Sequence, residues 1–88
     1  MYEIVYRKKA IKDIPKAKSI GIDGKIKSLI NLIRENPFQN PPPYEKLVGD
    51  LQGAYSRRIN IQHRLVYQVF EKEKVIRIIS FWSHYEKT

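Results

Sequence analysis

The sequence predicts an α+β fold, with an N-terminal strand and two helices packed on one face of a mostly antiparallel sheet. Three observations lead there. Ile26, Leu29, Ile30 and Ile33 recur at i, i+3, i+4 and i+7, the stripe of an amphipathic helix. Three β-rich stretches, residues 54–61, 63–70 and 75–83, close the chain. The connections between them, residues 60–63 and 71–74, are tight, which only antiparallel neighbours allow. Alternation along these stretches leaves one sheet face apolar, and the helices must cover it.

The elements follow in order. Residues 2–6 alternate and are β-rich, so they form a first strand. Residues 8–18 carry Ala10, Ile11, Ile14 and Ala17 at helical spacing. Pro15 lacks an amide donor and clashes one turn back, which predicts that this helix ends near Ile14 or kinks there. Residues 19–24 connect it to the striped helix, whose first turn Asp23 can cap. Asn36-Pro37 stops that second helix. Residues 37–43 hold four of the five prolines and form a stiff, extended connector. A short extended piece, residues 44–48, and a loop with two glycines, Gly49 and Gly53, lead into the three closing strands.

Eighty-eight residues give one domain spanning residues 1–88, since the chain is too short for two cores. There is no cysteine, which excludes a disulfide frame and a cysteine-based zinc site and fits the cytoplasm. No signal-peptide core opens the chain, and no apolar run approaches the roughly 20 residues that span a bilayer, so no membrane partner is expected. Seventeen basic residues against nine acidic leave a formal charge of +8. That density on so small a body suits a polyanion, with salt-dependent binding.

The basic and aromatic residues concentrate late. Tyr55, Ile59 and Ile61 form the bulky set of the first closing strand, Leu65, Tyr67 and Val69 of the second, and Ile79 and Phe81 of the third. The same alternation sends Arg58, Arg64 and His84 to the opposite face, with Ser80 and Trp82. Arg57 falls among the core-facing positions and must reach an edge or find partners.

Such a face supports metal-free cleavage of RNA, which carries its own nucleophile in the 2′-hydroxyl. The protein supplies a base, an acid for the leaving oxygen and positive charge for the transition state. Glu45 suits the base, His84 the acid, and Arg64 and Arg58 the fixed guanidinium donors. Each residue also has a plainer reading. Glu45 can be a solvated acid after a proline run, His84 an incidental tail residue, and Tyr85 a cover for the sheet end. Trp82 suits stacking on a base or packing against the proline connector. His63, at a strand start, reads as a structural hydrogen-bonding histidine. No metal-ligand spacing, phosphate loop, dinucleotide fingerprint or Ser/His/Asp arrangement is present, so no cofactor is expected.

Asn36-Pro37-Phe38, Tyr44-Glu-Lys-Leu47, Tyr55-Ser-Arg-Arg-Ile59, His63-Arg-Leu-Val-Tyr67 and Trp82-Ser-His-Tyr85 resemble the Txe/YoeB toxins of the RelE superfamily. The motifs cover residues 26–85, and the earlier part agrees in the order of its elements. The resemblance implies a RelE-like fold and the toxin of a type II toxin–antitoxin pair, a ribosome-dependent mRNA endonuclease. By position, Glu45 matches the family's general base, His84 its acid, and Arg64 its transition-state arginine. Arg58 matches a second phosphate contact, and Tyr85 the tyrosine that helps place the substrate. The implied partners are mRNA in the ribosomal A site, ribosomal RNA along the basic face, a cognate antitoxin and a second toxin copy in a homodimer. The chain departs from the family at Pro15, at Ala10 where some relatives carry a large aromatic, and in three residues after Tyr85. Two other functions fit the same basic scaffold: a non-catalytic toxin similar to the ParE gyrase inhibitors, and a basic RNA-binding module without chemistry.

Overall fold

A computed structural model of the chain describes residues 1–48 and 53–81. Its elements run β1 (Glu3–Tyr6), α1 (Lys8–Ser19), α2 (Asp23–Glu35), β2 (Tyr44–Lys46), β3 (Ala54–Arg58), β4 (Arg64–Phe70) and β5 (Val75–Ser80). The strands form one sheet in the order β1-β5-β4-β3-β2. β2 through β5 pair antiparallel, and β1 lies parallel to β5 with Ile4 opposite Ile76. The mostly antiparallel α+β architecture is the one predicted.

The core lies between the helices and one sheet face. Ile26, Leu29, Ile30 and Ile33 of α2 and Ala10 and Ala17 of α1 pack with Leu65, Tyr67, Ile76, Ile78 and Phe81. Burying a large aliphatic side chain of this kind contributes about 1.5–3 kcal/mol. Ile59 is also buried here, whereas Ile61, expected beside it, is 89% exposed. β3 has already ended at Arg58. Residues 59–63 turn instead, with the Asn60 side-chain carbonyl accepting the amides of Gln62 and His63 at 2.8 and 2.7 Å.

Three further expectations change. α1 continues through Pro15 as one helix. Pro15 is exposed, so water can reach the Ile11 carbonyl that has lost its helical donor. The buried face of α1 is Ala10, Asp13 and Ala17, while Ile11 and Ile14 are 53% and 37% exposed. Small residues let α1 approach β5 closely, and the Asp13 carboxylate accepts the Phe81 amide at 3.3 Å. Asp23 is the first residue of α2 and makes no side-chain cap bond; the capping position is Ile22. Its carboxylate still sits favourably at the positive end of the helix dipole.

The third change is the phase of β5. Ile79 was expected on the core face, but Ile76 and Ile78 are fully buried there and Ile79 is only half-buried. Tyr67 pairs with Ile78 while Val66 pairs with Ser80, so one extra residue is inserted opposite β4. This bulge resets the alternation: Ile78 before it and Phe81 after it both reach the core. A strand apolar on both faces hides such an irregularity from periodicity. No helix among the described residues is long and apolar enough to cross a membrane.

Candidate active site

Antiparallel partners share a sheet face. Glu45 of β2 stands opposite Ser56 of β3, Ser56 opposite Val66 of β4, and Arg58 opposite Arg64. Alternation therefore puts Glu45, Ser56, Arg58 and Arg64 together on the face away from the core. They line a cleft of about 330 Å³, walled by Pro42, Pro43 and Tyr44 and joined from α2 by Lys25.

Arg64 is the centre of the cleft. Its Nη1 lies 3.3 Å from the Glu45 carboxylate and 3.5 Å from Ser56 Oγ. The Arg64 side chain is 27% exposed and the Glu45 side chain 69%, so the pair is open to an incoming ligand. Arg58 and Arg64 face each other across the ladder, an arrangement that like-charge repulsion disfavours. An anion placed between them would relieve it, and a phosphate offers each guanidinium two oxygens in matching geometry. Glu45 is then a carboxylate beside the position where that phosphate would sit.

Arg57, one residue before Arg58, points the other way and is 1% exposed. Its position among the core-facing residues required partners, and it has four. Nη1 donates to the Pro42 carbonyl at 2.7 Å. Nη2 donates to the carbonyls of Pro37 at 3.1 Å and Gln39 at 2.8 Å. Nε donates to the Tyr67 hydroxyl at 3.0 Å, and that hydroxyl donates to the Pro37 carbonyl at 2.8 Å. An extended proline-rich segment makes few hydrogen bonds of its own, yet buried carbonyls need donors. One guanidinium collects three of them and ties the connector to β3. The Arg57 guanidinium also lies 4.9 Å from the centre of the Tyr44 ring, which faces it across the ladder. Phe38, Tyr44 and Tyr55 complete the contact with edge-on and tilted ring pairs at 5.1–6.0 Å. β2, only three residues long, is thus held by Arg57 on one face while it presents Glu45 on the other.

Burial pushes the Tyr67 phenol above its ordinary value of about 10, with the Arg57 guanidinium opposing. The folded state therefore holds this proton more tightly than the unfolded chain. The resulting stability is fully present below about pH 10 and is lost as pH rises through the folded value. Urea midpoints measured upward from pH 9 are expected to fall, and Tyr67→Phe is expected to remove most of that slope.

The structure brings together three of the six sequence-predicted site residues, Glu45, Arg58 and Arg64. His84, Tyr85 and Trp82 lie outside the described residues, as does the expected placement of His84 and Trp82 on this face. Ser80 does share it, opposite Val66. His63 is 8% exposed at the start of β4, and its carbonyl accepts the amides of Ile59 and Asn60, in keeping with a structural role. Lys25 and Ser56 were not foreseen in the cleft. Ser56 was legible, because it alternates with Arg58. Lys25 was not, because its approach depends on how α2 lies across the end of the sheet.

With this geometry in view, the comparisons with known proteins agree. A family model described as a YoeB-like toxin of bacterial type II toxin-antitoxin system matches residues 8–85. The chain is 40% identical over 63 residues to Toxin YoeB of Synechocystis sp., a match covering 72% of this chain and 71% of that protein. A YoeB/ParE toxin from Agrobacterium tumefaciens superposes with a TM-score of 0.84 at 29% identity, covering 94% of this chain and 99% of that one. A chain of the heterotetrameric YoeB-YefM toxin-antitoxin complex from Staphylococcus aureus superposes with a TM-score of 0.79 at 34% identity, covering 97% and 99%.

Proposed function

Because this chain belongs to the YoeB-like toxins of bacterial type II toxin–antitoxin systems, we propose that it is a metal-independent endoribonuclease that cleaves mRNA in the ribosomal A site. The observation that carries the reading is the convergence of Glu45, Arg64 and Arg58 on one open cleft, with Arg64 3.3 Å from Glu45.

On this reading the scissile phosphate enters between Arg58 and Arg64 and draws Arg64 away from Glu45. The freed carboxylate takes the proton of the 2′-hydroxyl. The 2′-oxygen forms a bond to phosphorus, the bond from phosphorus to the 5′-oxygen breaks, and His84 protonates the departing oxygen. The products are a 2′,3′-cyclic phosphate and a 5′-hydroxyl end. Arg64 stabilises the charge that builds on the equatorial oxygens, where preorganised donors are worth most. Arg58 holds the same phosphate, Tyr85 helps place the substrate, and Trp82 stacks on a base. Ribosomal RNA contacts the remaining basic surface. A cognate antitoxin neutralises the toxin, as the YoeB-YefM complex supports, and a second copy forms a homodimer.

Cleavage of mRNA bound to purified ribosomes, with the new 5′ ends mapped, tests the reading. The parent is expected to cut only with ribosomes present. Glu45→Gln and His84→Gln are each expected to slow cutting by about 10²–10⁴-fold. Messages left intact by the parent, or a folded double variant that cuts as fast, would overturn it.

A further inference from the structure

The charge of this chain is unevenly placed. Between Arg7 and Ser19 stand six basic residues and one acid, a net of five of the eight positive charges. The acid, Asp13, is buried. Arg7, Lys8, Lys9, Lys12, Lys16 and Lys18 are all exposed, so the outer surface of α1 carries cations alone. None of them lines the Glu45 cleft. α1 packs on β5, whereas the cleft opens at β2 and β3, and three strand steps separate β5 from β2. That is about 14 Å across the sheet.

Folding does not explain this arrangement. The first turn of α1 has no acidic residue, and cations there oppose the helix dipole. Lys8, Lys12 and Lys16 follow one another at i, i+4 and i+8, where like charges repel. The helix also contains Pro15. A row of lysines that weakens its own helix is accounted for by an anion outside it.

We propose that the outer face of α1 is a second RNA-binding surface, one that grips the phosphate backbone of an RNA duplex. The proposal rests on the RNA-directed function above and names a docking element for it, separate from the cleft. Three features select a duplex backbone. The lysines are compact, strongly hydrated charges on flexible stems, suited to phosphates and silent about sequence. No aromatic residue stands between Arg7 and Ser19, so the surface lacks the stacking platform that single strands use. Ile11 is the one large apolar side chain exposed in the middle of the helix, too little for the apolar centre of a protein interface. The helix cannot lie in a membrane surface either, since its small-residue face is already buried against the sheet. The cleft would then hold the single-stranded message while α1 holds structured RNA beside it.

The test compares the parent, Lys8→Gln/Lys12→Gln/Lys16→Gln and the corresponding triple arginine variant. Each is titrated with a short A-form RNA duplex over a range of salt concentrations. The glutamine variant is expected to melt no lower than the parent, to bind the duplex about ten- to a hundred-fold more weakly at low salt, and to lower the salt slope by about two. The arginine variant is expected to bind as the parent does. Equal affinity and equal slope for the glutamine variant would overturn the proposal. Ribosome-programmed cleavage, run in parallel, separates the two readings. Intact cutting with unchanged duplex binding in the glutamine variant sinks the α1 surface alone. Duplex binding that depends on the α1 lysines, in a parent that cuts no message, sinks the nuclease reading and sustains the surface.

Discussion

Arg57→Met is expected to lower the unfolding free energy by about 3–5 kcal/mol. The substitution keeps much of the volume but removes four hydrogen bonds, leaving the carbonyls of Pro37, Gln39 and Pro42 without their charged donor. Hydrogen bonds to an ion contribute about 1.5–3 kcal/mol each, and stranding a buried polar group costs about 1–3 kcal/mol. These do not add, because the carbonyls relax together and water reaches some of them. A domain of this size holds roughly 5–15 kcal/mol in all. Each kcal/mol moves the melting temperature by about 4–8 °C, so a loss of about 15–30 °C is expected by calorimetry. Arg57→Lys should recover only part of it. An ammonium can reach one or two of the carbonyls, but it cannot donate to the Tyr67 hydroxyl from a fixed Nε at the same time. A melting temperature within a few degrees of the parent for Arg57→Met would show that the proline connector is held by its prolines alone.

Arg64→Ala is expected to do the reverse: to slow single-turnover mRNA cleavage by about 10²–10³-fold while leaving the fold in place. The rate loss is that of removing one preorganised transition-state donor. The stability loss is small because the partner, Glu45, is mostly in water, and exposed ion pairs contribute about 0–1 kcal/mol. Arg58→Ala should cost about tenfold, the equivalent of one ground-state phosphate contact. Measuring rate and melting temperature on the same preparations checks both halves. An Arg64→Ala protein that cuts at the parent rate would remove Arg64 from the chemistry.

Much of this was visible in the residues. The α2 stripe, the three-strand meander and the shared face of Arg58 and Arg64 follow from periodicity alone, because one buried face forces register. Glu45 came less from pattern than from chemistry and family resemblance, and the structure confirmed that it meets Arg64. Where periodicity misled, a specific competitor won. Ala10, Asp13 and Ala17 displaced Ile11 and Ile14 from the buried side of α1, because close approach to β5 favours small residues and an acceptor for the Phe81 amide. Pro15 did not end α1, because it faces solvent and the carbonyl it deprives can be hydrated. Ile79 lost the core to Ile76 and Ile78, because a bulge is a property of two strands and one strand cannot announce it. Arg57 was recognised as needing partners, but they lie 10 to 20 residues away in sequence, and only the folded chain identifies them.

The neighbouring arginines of β3 have a consequence for genetics. In a gene whose product arrests growth, any lesion that disarms the product lets the colony grow. Changes at Arg57 and at Arg58 or Arg64 would therefore be collected by the same selection and look alike on the plate. Immunoblots of the survivors should divide them: codon 57 escapes by losing the polypeptide to proteolysis, codons 58 and 64 with the polypeptide still abundant.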